Sequence, residues 1–273
     1  MRLRLDLAYD GLGFHGWATQ PSLRTVQGEL ERALTTVLRT PTTVTCAGRT
    51  DTGVHARGQV VHLDVTDEAL AGAAGRSTAP LAGLVQRLNG LLDDDVHVRE
   101  ARRVPDAFDA RFGALWRRYA YRLSDDPATG DPLARGHVVT WPRRRGGAGC
   151  REATSTLLGE HDFAAYCKRR EGATTVRRLL ALDWTRRSDG VVEVGVQADA
   201  FCHHMVRSLV GALVAVGEGR REPGWPGEVL TRGARDSGVL VMPAHGLTLE
   251  EVAYPPDDEL QARATETRVV RSG

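Results

Sequence analysis

Apolar residues in this chain switch between a period of two and a helical period, and the same succession appears in both halves. In the first half, the odd-numbered positions from Leu3 to Tyr9 are apolar between polar neighbours, which is typical of a half-buried strand. Behind the capping residue Thr25, apolar side chains then follow at helical spacing: Val26, Leu30, Ala33, Leu34, Val37 and Leu38. A chain patterned in this way buries its apolar faces by packing helices on sheets.

Further segments extend this order. In the first half we predict strands at 42–46, 59–65 and 96–104, a helix at 80–92 and a loose insertion at 72–78. In the second half we predict strands at 115–123, 176–185, 191–198 and 246–254, with helices near 152–158 and from His203. The fold class is therefore α+β, with two ferredoxin-like or RRM-like units whose antiparallel sheets join into one larger sheet flanked by helices.

The same patterns predict where the domains divide. We expect an N-terminal domain at 1–107, a C-terminal domain at 108–256 and a flexible tail at 257–273. The start of the chain lacks the basic-then-apolar order of a secretory signal, and no long apolar run follows. We therefore expect a soluble, cytoplasmic protein without membrane contact. The four cysteines lie at no metal-binding spacing, which predicts free thiols.

The charge of the chain is unevenly distributed. The net charge of +1 argues weakly against a nucleic-acid partner. Basic residues nevertheless cluster, for example at 117–118, 143–145 and 168–170, whereas acidic residues gather at 93–95 and 257–259. Lys168 is the only lysine, and arginine supplies every other cation apart from histidine. Arginine suits bidentate phosphate contacts and stacking on bases, although biased codon usage explains an arginine excess equally well.

The sequence contains parts of a dinucleotide-binding motif and of a metal site, but neither is complete. Gly11, Gly13 and Gly16 spell GxGxxG after a strand, but a dinucleotide-binding motif must open a helix at once, and here the helix begins only near Thr25. Metal-ligand types also occur, namely His55, His62, Asp64, His203 and His204. Their spacing fits no zinc motif, and we interpret the histidines as surface or RNA-facing residues without a metal.

The segment 47–59 has the strongest chemical signal. Asp51 lies between Arg49 and Arg57 in a glycine-rich, polar loop. Glycines let the backbone approach a bulky ligand, and arginines favour an ionised carboxylate that can act as a nucleophile or base. Taken alone, the loop is better explained as a turn that carries salt bridges on its rim.

Separated segments place this loop in a wider pattern. GRTDTGVHA at 48–56 is accompanied by YDGLGFHGWATQ at 9–20, TVQGELERAL at 25–34, FDARFGALWRRYAY at 108–121, LLGEHDFAAY at 157–166 and FCHHMVRSLVGALVAVG at 201–217. In these segments the chain resembles the tRNA pseudouridine synthase A family, over nearly its entire length. Thr52 and Ala18 depart from the usual pattern, and neither removes a catalytic group.

The resemblance implies specific roles for individual residues. Asp51 is implied as the nucleophile, with Arg49 beside it and Arg207 pairing with the carboxylate. Tyr119 is implied to stack on the target base and Leu247 to line the uracil pocket. For RNA contacts we add the following basic residues: Arg57, Arg117, Arg118, Lys168, Arg169 and Arg170.

The resemblance also implies the reaction and the partners. It implies the pseudouridine synthase fold and isomerisation of uridine at positions 38, 39 and 40 of the tRNA anticodon stem-loop, without cofactor or metal, by a homodimer. A noncatalytic RNA-binding or chaperone module that uses only the arginine surface is the alternative hypothesis.

Overall fold

A computed structural model describes residues 1–74, 78–141, 143, 147–168, 172 and 174–268. The chain divides into two compact units. Unit 1 comprises Met1–Leu115 and Leu249–Val269, and unit 2 comprises Trp116–Thr248. The predicted domains instead changed at 107/108 and kept residues 249–256 in the second domain.

Hydrogen bonds within unit 1 explain the difference in boundary. The amide of Leu115 donates to the carbonyl oxygen of Ala253 at 2.8 Å. The hydroxyl of Tyr254 donates to the carbonyl oxygen of Ala110 at 2.7 Å, and the guanidinium of Arg263 donates to that of Ala114. Residues 110–115 are thus held by the C-terminal segment, a pairing that local sequence patterns do not reveal.

Strands and helices follow one another along the whole chain. Their bounds are β1 Arg2–Tyr9, α1 Val26–Leu38, β2 Thr45–Cys46, β3 His55–Asp64, α2 Asp67–Ala74, α3 Pro80–Asn89, β4 Val96–Val104, β5 Trp116–Ser124, β6 Val139–Thr140, α4 Gly147–Ser155, β7 Gly159–Asp162, β8 Val176–Arg186, β9 Val192–Ala198, α5 Met205–Gly217, α6 Trp225–Arg232, β10 Leu247–Ala253 and α7 Leu260–Arg268. The predicted α+β class is confirmed, because a large mixed sheet is flanked by helices.

Unit 1 is built on the strand order β4-β1-β3-β10. β1 pairs antiparallel with both β3 and β4, so that Leu5 lies opposite Val61 on one side and Ala101 on the other. Side chains of β1 at odd positions are buried, as the alternation predicted. The apolar stripe of α1 is buried as well, and Thr25 caps this helix by accepting from the amide of Gly28.

Unit 2 has the strand order β10-β5-β9-β8-β7. β10 appears in both orders because the division between the units falls within it, after Thr248. β5, β9 and β8 are antiparallel, and β6 adds a short parallel pairing to β5. The hairpin between β8 and β9 turns at Gly190, whose φ is +83°, a conformation that an Asp-Gly step favours. α5 is buried along almost its entire length and packs against α4 and α6.

Two expectations about the chain differ from the structure. Residues 257–268 do not form a flexible tail, because a short 3₁₀ turn leads into α7, where Leu260 and Ala264 are buried. The prediction of free thiols is wrong for Cys167 and Cys202, which are bonded to each other with Cα atoms 5.8 Å apart. The amide of Lys168 donates to the carbonyl oxygen of His203 at 2.8 Å and brings these two segments together.

The lengths and apolar character of the helices bear on the expectation that the protein has no membrane contact. Among the described residues, no helix has the length and apolar character needed to cross a bilayer.

His62 gives unit 1 a pH-dependent stability. Its imidazole is buried, its Nδ1 accepts from the amide of Ala110 at 2.9 Å, and its ring lies edge-on to Phe108. Burial lowers the pKa of His62, and the positive charge of Arg2 lowers it further. The folded state therefore favours neutral imidazole.

We predict that the free energy of unfolding falls as the pH drops below about 6.5, because the unfolded chain takes up a proton first. The loss continues until the pH reaches the lowered pKa of the folded state and is limited to about 1.4 kcal/mol per pH unit for one proton. Urea unfolding at a series of pH values measures it. His62→Asn keeps an acceptor for Ala110 but cannot titrate, so an equal loss of stability in that variant would contradict the assignment.

Candidate active site

Asp51 lies in a short loop between β2 and β3 of unit 1. The loop leaves β2 where the amide of Ala47 donates to the carbonyl oxygen of Val60 at 2.8 Å. It closes in a turn in which the amide of Val54 donates to the carbonyl oxygen of Asp51 at 3.1 Å. Gly53 has a φ of +76°, a left-handed conformation that glycine adopts without strain. The side chain of Asp51 is half-buried and that of Arg49 is exposed.

The segment after β1 packs directly against this loop. The amide of Trp17 donates to the carbonyl oxygen of Thr50 at 3.1 Å. Gly16 has a φ of +90°, and a Cβ atom placed on it would lie 3.0 Å from that same oxygen and 3.3 Å from the carbonyl carbon of Asp51. A side chain here would be strained by the positive φ and tightly packed, so Gly16 lets two backbone segments meet at Asp51.

The same segment accepts hydrogen bonds from the start of α1. The amide of Val26 donates to the carbonyl oxygen of Gly16 at 3.3 Å, and the amide of Gln27 donates to that of Trp17 at 3.0 Å. These are first-turn amides that have no partner within the helix. The two-residue segment Gly16 and Trp17 thus links the N-terminus of α1 to the Asp51 loop.

These contacts give a structural reason for the glycine motif that spelled GxGxxG. Gly11 lies in a 3₁₀ turn where a Cβ atom would overlap the carbonyl group of Val54, and its amide donates to Nδ1 of His55 at 3.0 Å. Gly11 and Gly16 therefore serve close packing against the Asp51 loop, and the α-helix that follows the motif begins only at Val26. Sequence reasoning gave these glycines no role, although their presence in the segment 9–20 was a usable signal.

Burial and the positive charge of Arg49 act in opposite directions on the pKa of Cys46, the last residue of β2. Burial raises the pKa of the Cys46 thiol to about 11, while the positive charges of Arg49 and Arg111 act in the opposite direction. Cys46 therefore remains a neutral thiol near pH 7. Arg49 acts on it from an exposed position, which leaves its guanidinium accessible to an anionic ligand.

Three predicted residues of unit 2 lie in buried or half-buried positions. Tyr119, on β5, is 8% exposed and meets Phe201 edge to face, with ring centroids 5.1 Å apart. Leu247 is buried at the start of β10. Arg207, in the first turn of α5, is half-buried and its Nε donates to the carbonyl oxygen of Met242 at 2.6 Å.

The basic residues predicted to contact RNA differ in exposure. Arg117 is buried and donates to the carbonyl oxygen of Asp199 at 2.6 Å, a placement that favours a structural role. Arg118 and Lys168 are exposed. In unit 1, Arg57 is half exposed and its Nη1 lies 3.3 Å from Oε1 of Glu250. Arg169 and Arg170 lie outside the described residues.

The histidines considered as metal ligands contact backbone amides, a carboxylate or each other; Nδ1 of His55 lies 3.0 Å from Oδ1 of Asp10. Nδ1 of His55 and Nδ1 of His62 both accept from amides. Asp64 forms an ion pair with Arg2 at 2.8 Å. His203 and His204 precede α5, with ring centroids 4.1 Å apart.

The chain is similar to known proteins over most of its length. A family model described as tRNA pseudouridine synthase matches residues 7–113 and 153–255, which include the Asp51 loop and α5. A protein named tRNA pseudouridine synthase A from Frankia casuarinae is 57% identical over 272 residues, covering 99% of this chain and 96% of the relative. Relatives with the same name are similar in Streptomyces griseus, at 54% identity with 100% and 94% coverage, and in Mycobacterium leprae, at 50% with 100% and 96%.

A solved structure is also similar, at a much lower level. The crystal structure of the archaeal box H/ACA sRNP Nop10-Cbf5 complex contains a chain with 11% identity and a TM-score of 0.32. The match covers 78% of this chain and 43% of the other. At this TM-score the likeness carries no argument about function.

We predict that Gly16→Ala destabilises the protein by about 1–3 kcal/mol, because alanine at positive φ is strained and its Cβ would press on the Thr50 carbonyl. Thermal or urea unfolding measures the loss. Gly72→Ala is the matched control: Gly72 lies in α2 with open space around it, and alanine there should raise stability by up to about 1 kcal/mol. Equal stabilities for the two variants would contradict the described packing.

Proposed function

We propose that this chain, which belongs to the tRNA pseudouridine synthase family, isomerises uridine at positions 38, 39 and 40 of the tRNA anticodon stem-loop, with Asp51 as nucleophile. Members of this family are isomerases. The observation that carries the proposal is the geometry of the Asp51 loop: its half-buried carboxylate stands on a turn whose backbone is held by Trp17 and Gly16.

The reaction rearranges atoms within one nucleotide. The glycosidic bond from the ribose to N1 of uracil breaks, the uracil turns, and a new bond joins the ribose to C5. The hydrogen on C5 leaves as a proton and N1 takes up a proton, so the product is an isomer of the substrate. The electron pair of the broken bond stays with the uracil, so no net oxidation or reduction occurs and we propose no cofactor. A carboxylate suits this chemistry because it can form and release a covalent bond to the substrate.

Catalysis needs the carboxylate to be held before the substrate arrives. A side chain fixed by its backbone loses little freedom on reaching the reactive geometry, which lowers the barrier. The turn at Asp51 and Val54 and the contact with Gly16 support such a preorganised arrangement. We assign Arg49 to the stabilisation of negative charge beside Asp51, and Arg207 to the same charge, as the family resemblance implies.

The target base must leave its stack before it can react. Extruding a nucleotide costs a few kcal/mol, which stacking on an aromatic side chain offsets in part. We assign Tyr119 to this contact and Leu247 to the apolar lining that retains the freed uracil. The edge-to-face packing of Tyr119 on Phe201 supports this by fixing the plane of the tyrosine ring.

Phosphate contacts are assigned to exposed basic residues. Arg118 and Lys168 are exposed in unit 2, and Arg57 is half exposed in unit 1. We extend the assignment to Arg169 and Arg170 by sequence alone, and assign Arg117 a structural role because it donates to the carbonyl oxygen of Asp199. We also propose that the enzyme acts as a cytoplasmic homodimer, as the family resemblance implies.

Asp51→Asn should abolish pseudouridine formation, because the amide cannot act as nucleophile, while the dissociation constant for tRNA stays within about threefold. Tritium placed at C5 of uridine in tRNA is released when C5 bonds to the ribose and reports turnover. Asp64→Asn, which alters a carboxylate of the exposed ion pair with Arg2, is the control and should keep full turnover.

The same assay decides between the two functions. A noncatalytic RNA-binding module would bind tRNA without releasing tritium even as the unaltered protein. Retained turnover in Asp51→Asn would remove Asp51 from the mechanism.

Lys168 allows a direct test of RNA contact, because it is the only lysine in the chain. Acetylation by an N-hydroxysuccinimide ester then reports Lys168 and the amine of Met1, which donates to the carbonyl oxygen of Val65. We predict that saturating tRNA lowers labelling of Lys168 several-fold and leaves Met1 unchanged, as measured by mass spectrometry of peptides. Protection should disappear at high salt. Unchanged labelling of Lys168 would exclude the contact.

A further inference from the structure

Beneath the Asp51 loop lies a buried group of polar side chains that the proposed chemistry does not use. It consists of Tyr9 on β1, Thr50 in the loop and Gln59 on β3, which are 5%, 7% and 0% exposed. We call it the Tyr9–Thr50–Gln59 cluster. The hydroxyl oxygens of Tyr9 and Thr50 are 2.8 Å apart, and Nε2 of Gln59 donates to the hydroxyl of Tyr9 at 3.2 Å.

The cluster holds the loop at two points that precede Asp51. Nε2 of Gln59 also donates to the carbonyl oxygen of Gly48 at 2.8 Å, and Oε1 of the same side chain accepts from the amide of Val60 at 3.2 Å. Thr50 is bound through its side chain by Tyr9 and through its carbonyl oxygen by Trp17. The residue immediately before Asp51 is therefore fixed on both its main chain and its side chain.

Stability alone does not require polar groups in this place. Burying a hydroxyl or an amide is unfavourable unless each is hydrogen-bonded, and an apolar pair such as phenylalanine and valine would fill a similar volume. The polar cluster instead fixes the conformation of the Asp51 loop, because hydrogen bonds define one arrangement of the loop whereas apolar contacts tolerate several. The direction of the Cα–Cβ bond of Asp51 follows from that arrangement.

Taking the proposed role of Asp51 as its basis, we propose that Tyr9, Thr50 and Gln59 are positioning residues that aim the Asp51 carboxylate at the target nucleotide. β1 and β3 pair antiparallel with Tyr9 opposite Ala56, so the cluster connects the loop to the rigid part of the unit 1 sheet. Tyr9 and Gln59 thus act through Thr50 and Gly48 and do not themselves touch the substrate.

The test measures the single-turnover rate constant, the dissociation constant for tRNA and the melting temperature of single variants. Thr50→Val and Tyr9→Phe each remove one hydroxyl and keep the shape of the side chain. We expect each to lower the rate constant about tenfold, since small misplacement of a reacting group has effects of this size or larger, with tRNA affinity within about twofold. Thr50→Ser keeps the hydroxyl and should restore most of the rate.

Tyr166→Phe is the control for loss of a buried hydroxyl elsewhere. The hydroxyl of Tyr166 donates to the carbonyl oxygen of Pro226 in unit 2 at 2.7 Å, and its removal should lower the melting temperature without changing the rate constant. Normal rate constants in folded Thr50→Val and Tyr9→Phe, with lowered melting temperatures only, would overturn the positioning role. If Thr50→Val fails to fold, Tyr9→Phe decides, because it retains the whole ring.

The outcomes also separate this inference from the proposed function. Turnover by Asp51→Asn would contradict the role of Asp51 itself, whatever the cluster variants do. An inactive Asp51→Asn together with full activity of Thr50→Val and Tyr9→Phe would contradict the positioning role alone.

Discussion

The hydrogen bond from the amide of Trp17 to the carbonyl oxygen of Thr50 is the contact on which the candidate site depends. On one side, Gly16 and Trp17 accept from the first amides of α1, so their position is set by a helix. On the other side, Thr50 is the last residue before Asp51. This hydrogen bond therefore connects the glycine-rich Asp51 loop to α1 through Gly16 and Trp17. Because Gly16 has no side chain, its backbone can approach the carbonyl oxygen of Thr50.

Several features of the fold are predictable because their cause is local. Thr25 precedes an apolar stripe and caps α1, and the strand at Val96–Val104 has the bounds that its alternation predicts. Other features have partners far away in the chain. The return of the chain to unit 1 after Thr248 has no local signal, and α7 falls in a polar stretch of low periodicity. α6 does have local signals, Pro226 in its first turn and Gly233 after its end, which the sequence analysis did not use.

The candidate site also contains features that the sequence reveals and features that it does not. Asp51 is recognisable because glycines and arginines surround it in one short segment. Gly11 and Gly16 are visible as a motif, but their purpose is not, because the backbone that they approach belongs to a different loop. Exposure is also invisible to the sequence: Arg117 and Arg118 are neighbours on β5, yet one is buried against Asp199 and the other is exposed. Adjacent positions on a strand face opposite ways, and packing decides which face is covered.

The division of the chain after Leu115 and again after Thr248 has a consequence for biosynthesis. Unit 2 is an insertion within unit 1, and β10 and α7 of unit 1 are translated only after the inserted unit. The N-terminal part of unit 1 therefore remains incompletely folded while unit 2 is translated. Unit 1 can finish folding only when residues from 249 onward form contacts with residues 1–115. Such closure is slow by nature and leaves a sheet edge without its neighbour in the interval, a period in which chaperones are of most use.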